Sequence, residues 1–339
     1  MERKKFRFTY FGLALLGFGL LLAGRSLAQQ VKPEPFTIVV LPDTQCYADT
    51  RIGFASRRWG ADLRHYFFSQ TQWIKENKDK LNIAMVAHVG DVVQADDEKE
   101  WEIADKAFRT IDGVVPYMLC LGNHDFGYQE DPEKPPRLWF GAHRGAANYN
   151  KHFGHSRFKG SPWRGGRLGE TNENHHSRFE AGGMKFLIIS LEMHPRDESL
   201  AWANEVVSAH PEHRCIVLTH SYLDTRNERL VNDPYCEIEG NCGQAMWEKF
   251  VSRHENIFMV LCGHMLGEGL LTSVGQNGNT VHQVLANYEF EDKGGAGYLR
   301  IMTFIPDEDK INVQTYSPVL KENKTTLISQ FSLEYKMKD

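Results

Sequence analysis

Six short apolar runs punctuate this chain of 339 residues: 36–41, 83–89, 115–121, 184–191, 215–219 and 257–262. Their lengths suit strands buried on both faces better than helices. Between them, apolar positions recur at three- and four-residue spacing. That pattern predicts helices over about 61–80, 97–111, 199–209 and 244–254. In the first of these, Leu63, Tyr66, Phe67, Gln70, Trp73 and Ile74 share one face. Beyond residue 262 the pattern turns to strands alone, at about 268–275, 280–287, 298–305 and 310–316, with Asn277-Gly278 as a hairpin signal between two of them. Helices alternating with strands, followed by a run of strands, predict two packed sheets with helices outside. Two stretches break the rhythm. Residues 126–180 are dense in Gly, Arg, His and aromatics, and 221–242 form a second long loop. Segments of this length inside a domain are usually functional.

Polar residues of metal-ligand type stand at the ends of the apolar runs, in order. Asp43 and Gln45 follow the first, Gly90-Asp91 the second, and Gly122-Asn123-His124-Asp125 the third; His220 and Gly263-His264 follow two later ones. Taken singly, an Asp after a strand is most often a turn or helix cap. Taken together, Asp43, Asp91, Asn123, His220 and His264 offer two carboxylates, an amide oxygen and two imidazoles, a set suited to Mn²⁺, Zn²⁺, Fe or, less well, Mg²⁺. A bridging Asp can hold two ions ~3.5–4 Å apart, the spacing of two-metal hydrolysis. The glycines before Asp91, Asn123 and His264 fit places where the backbone turns sharply or approaches the site closely. His88, three residues before Asp91, reads as a core or supporting residue.

The ordered set Asp43-x-Gln45, Gly90-Asp91, Gly122-Asn123-His124-Asp125, Thr219-His220 and Gly263-His264 resembles the calcineurin-like metallophosphoesterase superfamily, over about residues 36–316. The resemblance implies an α/β fold, a four-layer α/β/β/α sandwich of two mixed β-sheets flanked by helices. It implies two divalent metal ions (Mn, Fe, Zn or Mg), with Asp43 on the first, Asp91 bridging, and Asn123, His220 and His264 on the second. It makes His124 the general acid over the leaving group, oriented by Asp125. The implied reaction is hydrolysis of a phosphomonoester or phosphodiester by attack of metal-activated water.

Three departures qualify the likeness. The first motif often carries His where this chain has Gln45. The last often reads Gly-His-x-His, and here Leu266 takes the second His position. The first metal then keeps Asp43, Asp91 and the amide oxygen of Gln45, a weaker donor than imidazole, so that site is expected to be weak or filled out by water, with Glu268 a candidate substitute. The third departure is Gln94, which stands where purple acid phosphatases carry a Tyr, so an enzyme of that type is not expected. The rival reading is a catalytically impaired binding protein on the same scaffold. A sugar-binding module resting on the aromatic insertion is a third.

Composition narrows the partners. The formal charge is -5, and the body is more acidic still once Arg3, Lys4, Lys5, Arg7 and Arg25 are set aside with Glu2. That argues against a broad nucleic-acid surface and leaves a small phosphorylated substrate or a phosphodiester as the expected partner. Within 126–180, Tyr128, Arg137, Trp139, Arg144, Tyr149, Trp163, Arg164 and Arg167 offer one pocket wall, with His175 a possible phosphate contact; equally, the aromatics could simply pin a long loop down. Residues 1–28 read as a signal peptide: a basic start, an apolar stretch shorter than a spanning helix, and Ser26-Leu27-Ala28 before the cut. The mature protein is then periplasmic or extracellular with no stable membrane span; an uncleaved anchor is the competing reading. Residues 317–339 form a C-terminal extension packed on or trailing from the domain. Cys236 and Cys242 could close a small disulfide ring, while Cys120, Cys215 and Cys262 read as core residues.

Overall fold

The structure, a computed structural model, describes residues 33–50, 58–60, 62–126, 144–236 and 238–337. The signal-peptide reading of 1–28 and the pocket residues Tyr128, Arg137 and Trp139 lie outside the described residues.

Two seven-stranded mixed sheets make up the body. The first runs β13(Glu322–Lys324)-β12(Lys310–Ser317)-β11(Leu299–Ile305)-β1(Phe36–Leu41)-β2(Ile83–His88)-β3(Tyr117–Leu119), and β14(Gln330–Glu334) also pairs with β12. The second runs β4(Arg164–Arg167)-β5(His175–Ala181)-β6(Met184–Ser190)-β7(Arg214–Leu218)-β8(Ile257–Cys262)-β10(Thr280–Asn287)-β9(Gly267–Val274). The four strands predicted after residue 262 are β9 to β12, each within a residue or so of its expected bounds, and Gly278 turns the β9–β10 hairpin at φ 82°. The tail contributes β13 and β14 to the first sheet.

Period-two alternation sorts the side chains into layers. Ile38 and Val40 of β1, Phe186 and Ile188 of β6, Ile216 and Leu218 of β7, and Met259 and Leu261 of β8 meet in one cluster between the sheets. Phe36 stacks on Phe304 at 4.6 Å and meets Phe186 edge-on at 5.4 Å across that seam. The alternate residues Val39 and Leu41 face outward under α2(Arg64–Asn77) and α3(Glu98–Arg109). Leu187, Ile189, Val217 and Val260 do the same under α5(Asp197–Ser208) and α6(Gly243–Lys249). The result is the expected sandwich, helix–sheet–sheet–helix.

The insertion is more regular than its sequence suggests. It holds α4(Ala147–Phe153) and the strands β4 and β5, which extend the second sheet. Helix α1(Gln45–Ala48) is a single turn at the end of β1.

Strand direction positions the chemistry. β1, β2 and β3 run parallel in the first sheet, and β6, β7, β8 and β10 run parallel in the second. Within each sheet the loops that leave these carboxyl ends emerge together, as open α/β sheets require of a site.

Candidate metal centre

Six strand-end segments converge, those that leave β1, β2, β3, β7, β8 and β10. Asp91, His220 and His264 each present one ligand atom, all within 4.8 Å of one another. The two imidazole centroids are 5.0 Å apart. His220 Nδ1 donates to the Val89 carbonyl at 2.7 Å, which fixes the ring and turns Nε2 toward Asp91 Oδ2, 3.2 Å away. Orientation of a ligand histidine by a carbonyl on its other nitrogen is the usual support of a metal site.

Glycines make the close approach possible. A Cβ on Gly90 would come within 2.6 Å of His220 Nδ1, one on Gly122 would overlap Asp91 Oδ1, and one on Gly263 would overlap Asp43 Oδ1. Gly90 also sits at φ 97°, and Asp91 and His264 themselves adopt left-handed backbone, at φ 51° and 69°. Such conformations are costly for non-glycine residues and cluster at functional sites.

Three buried oxygens of the expected ligands lack a hydrogen-bond partner, Asp43 Oδ1, Gln45 Oε1 and Asn123 Oδ1, and His220 Nε2 faces only the Asp91 carboxylate. Unpartnered buried polar atoms are rare in native proteins and call for an explanation such as an ion. Here they belong to the residues the sequence pattern selects, and their donor types match divalent cations. The residues fit a divalent-cation site.

The charges agree. Burial pushes the Asp43 carboxyl well above the usual range, and the neighbouring carboxylates Asp91 and Glu289 push it further. Asp91, though buried, is held below the usual range by His220 and His124. Burial and Asp91 raise Glu289 to about 8. Nearby carboxylates that resist ionising together are what a cation would relieve.

His124 stands beside this group on a single 3₁₀ turn, its main-chain N–H donating to Asp91 Oδ1 at 2.9 Å. Its Nδ1 lies 2.7 Å from the Gln94 carbonyl and 2.9 Å from the Gln94 side-chain Nε2. Asp125 does not orient it as expected. One Asp125 oxygen accepts from the amides of Val92 (2.8 Å) and Val93 (3.0 Å), and the other from Gly122 (2.9 Å). The carboxylate clamps two site loops together, and the carbonyl of Gln94 takes the orienting role. Burial lowers the basicity of the His124 ring.

Among the described residues of the expected pocket wall, Tyr149, His175 and Arg144 are spent on structure. Tyr149 is buried in the core against Trp101 and Phe153. His175 is buried with Nδ1 on the Asn172 carbonyl. Arg144 binds Glu192 and the carbonyls of Met193, His194 and Glu239. Glu268 faces Arg300, Tyr288 and Ser329, so it is not the substitute ligand. His88 sits between Thr44 and the rings of Phe67 and Phe108 as a neutral core residue, lowered to about 3 by burial. No disulfide joins Cys236 and Cys242. Hydrogen bonds secure their loop instead, from Asn241 to the Pro195 carbonyl and from His194 to the Ile238 carbonyl.

Three site residues escaped the sequence reading. Asn287 Nδ2 donates to Asp43 Oδ2 at 2.8 Å and to the His264 carbonyl at 2.9 Å. Glu289 accepts from Gln45 Nε2. Asp233, from the second long loop, reaches His264 Nε2 at 2.9 Å. Asn287 and Glu289 follow the apolar run of β10, so the strand-end rule that found the others was available for them. Nothing in the sequence marks Asp233.

The profile of the Calcineurin-like phosphoesterase family matches residues 36–268. "Uncharacterized protein YvnB" of Bacillus subtilis (strain 168) is 31% identical over 297 residues, 85% of this chain; the match spans 20% of that protein's length. Among solved structures, a dimetal phosphatase from Danio rerio aligns with a TM-score of 0.55 at 12% identity, covering 89% of this chain and 100% of that one. A purple acid phosphatase from yellow lupin (Lupinus luteus) seeds aligns at 0.53 and 13% identity, covering 90% of this chain and 55% of that one. At such identities these two attest the fold alone. The profile match and the strand-end residues beneath it establish that the chain belongs to the calcineurin-like phosphoesterase family.

Proposed function

We propose that the chain is an exported, two-metal phosphoesterase that hydrolyses a small phosphomonoester or phosphodiester. The observation that carries the reading is the meeting of unpartnered buried ligand atoms with His124 at one place. A structural metal site has no use for a partly buried imidazole held at its edge. Two bound divalent ions would acidify a water and neutralise phosphoryl oxygens.

The chain's own residues supply the rest. With Nδ1 committed to the Gln94 carbonyl, His124 exchanges its proton through Nε2, the nitrogen that protonates a departing oxygen. Gln94 fixes the ring, and the main-chain bond from His124 to Asp91 sets its distance from the ligands. Export rests on the N-terminal sequence.

The test is turnover by the Mn²⁺-loaded chain on a chromogenic phosphodiester and monoester, beside His124→Ala and His264→Ala. His124→Ala is expected to keep its bound metal and lose ~10²–10⁴-fold in kcat. His264→Ala is expected to lose metal. No turnover by the loaded wild type on either ester would favour the binding-protein reading.

A further inference from the structure

The first metal site lacks a ligand at Leu266, whose side chain is largely exposed. Two unpartnered atoms nonetheless point to an ion there. Asp43 Oδ1 and Gln45 Oε1 are fully buried and have no hydrogen-bond partner. Glu289 closes the group. Gln45 uses one Nε2 to reach both Glu289 Oε2 and Asp91 Oδ2, the latter at 3.2 Å. Asn287 uses one Nδ2 to reach Asp43 Oδ2 at 2.8 Å and Glu289 Oε1 at 3.4 Å. Two amide groups thus gather three carboxylates while the Gln45 oxygen stays unused.

Glu289 arrives by topology. β10 runs parallel to β8, so Asn287 and Glu289 leave the sheet at the end where Gly263-His264 does. The Glu289 amide donates to Asn287 Oδ1 at 2.9 Å, a turn that fixes the Glu289 backbone beside the site.

We propose that Glu289 supplies the ligand the first site lacks at Leu266. The site then has an all-oxygen donor set of Asp43, Gln45, Asp91 and Glu289. Such a set is harder than the histidine-bearing second site, and it discriminates less in favour of Zn²⁺ over Mn²⁺. The proposal rests on the two-metal reading above.

Calorimetric titration of the metal-free full chain with Mn²⁺ and with Zn²⁺ tests it, using wild type, Glu289→Gln and Glu289→His. Wild type is expected to bind two Mn²⁺. Glu289→Gln, which keeps size and removes charge, is expected to hold the second ion unchanged and to weaken the first at least about tenfold, the scale of losing one support of a metal site. Glu289→His is expected to bind two ions and to raise the Zn²⁺-to-Mn²⁺ affinity ratio of the first site. Two Mn²⁺ bound by Glu289→Gln with wild-type affinities would overturn the role of Glu289 and leave the two-metal reading standing. Fewer than two ions in wild type would overturn both. Loss of both ions in both variants would also overturn it, because Glu289 would then be a general support and not the ligand of one site.

Discussion

Asp233 and His264 lie 2.9 Å apart, carboxylate Oδ2 to Nε2, although 31 residues separate them. The same oxygen lies 3.0 Å from His194 Nε2 and accepts from Ser221 Oγ at 2.8 Å. A carboxylate on the far nitrogen of a ligand histidine fixes its orientation and makes it a better donor. Asp233→Ala is therefore expected to weaken Mn²⁺ binding by ~10- to 100-fold. Competition against a chromogenic chelator measures this. An unchanged affinity would remove Asp233 from the site's support.

The His194–Asp233 pair also sets a pH dependence. Burial pulls the His194 ring down, but Asp233, Cys242 and the Ile238 carbonyl outweigh it and hold the ring at about 9. A raised histidine stabilises the fold fully below its unfolded value of ~6.5, and that stability is lost as pH rises through the folded value. The metal-free chain is expected to lose stability between about pH 6.5 and about pH 9. His194→Gln should flatten the curve in that window. Denaturant midpoints across the range decide; parallel curves for both proteins would refute the assignment.

Gly122 stands at φ -97°, a backbone any residue adopts, so space alone demands glycine there. A methyl group would overlap Asp91 Oδ1. Gly122→Ala is expected to cost ~1–3 kcal/mol of stability, the range for overpacking a tight site. It should also lose metal, because the carboxylate is the group displaced. A variant that melts lower yet binds two ions normally would contradict this.

Asp125 accepts three main-chain amides from two loops, 92–93 and 122. Replacing one oxygen by NH₂ leaves at least one of these donors facing another donor, at a cost of ~1–3 kcal/mol. Asp125→Asn is expected to show that loss in chemical unfolding. Its kcat should fall without a shift in the acidic or basic limb of the pH profile. A shifted limb would mean that Asp125 acts on His124 after all.

Among the described residues Tyr149 makes long bonds alone, 3.3 Å to the Leu119 carbonyl and 3.4 Å to that of Asn172. Tyr149→Phe is expected to leave KM unchanged on either ester. A several-fold rise in KM would return the residue to the substrate wall.

What the sequence made legible follows from one physical regularity. A strand buried on both faces is a dense apolar run, and the first polar residue after it sits where the sheet opens. Asp43, Asp91, Asn123, His220 and His264 all obey this, as do Asn287 and Glu289 once β10 is treated the same way. Asp233 obeys no such rule, because a loop residue's position depends on the whole fold beneath it. The insertion misled for a related reason. Arg164-Gly165-Gly166-Arg167 and His175-His176-Ser177-Arg178 are strands, but polar ones near the edge of their sheet, where alternation does not show. Arg and Tyr in a long segment suggested a binding wall; Tyr149 serves the core, and Arg144 satisfies carbonyls that would otherwise be left bare.

The grip of Asp43 has a mechanical side. It leaves a strand of the first sheet, yet Oδ2 is held by the His264 amide at 3.1 Å and by Asn287, both from the second sheet. The centre thus acts as a rivet through the sandwich. Sliding one sheet past the other by a single residue, ~3.3 Å, would tear these bonds and separate the ligands. Bound ions would therefore resist shear between the layers, and the alignment of two large apolar faces would in turn hold the ions at their working distance.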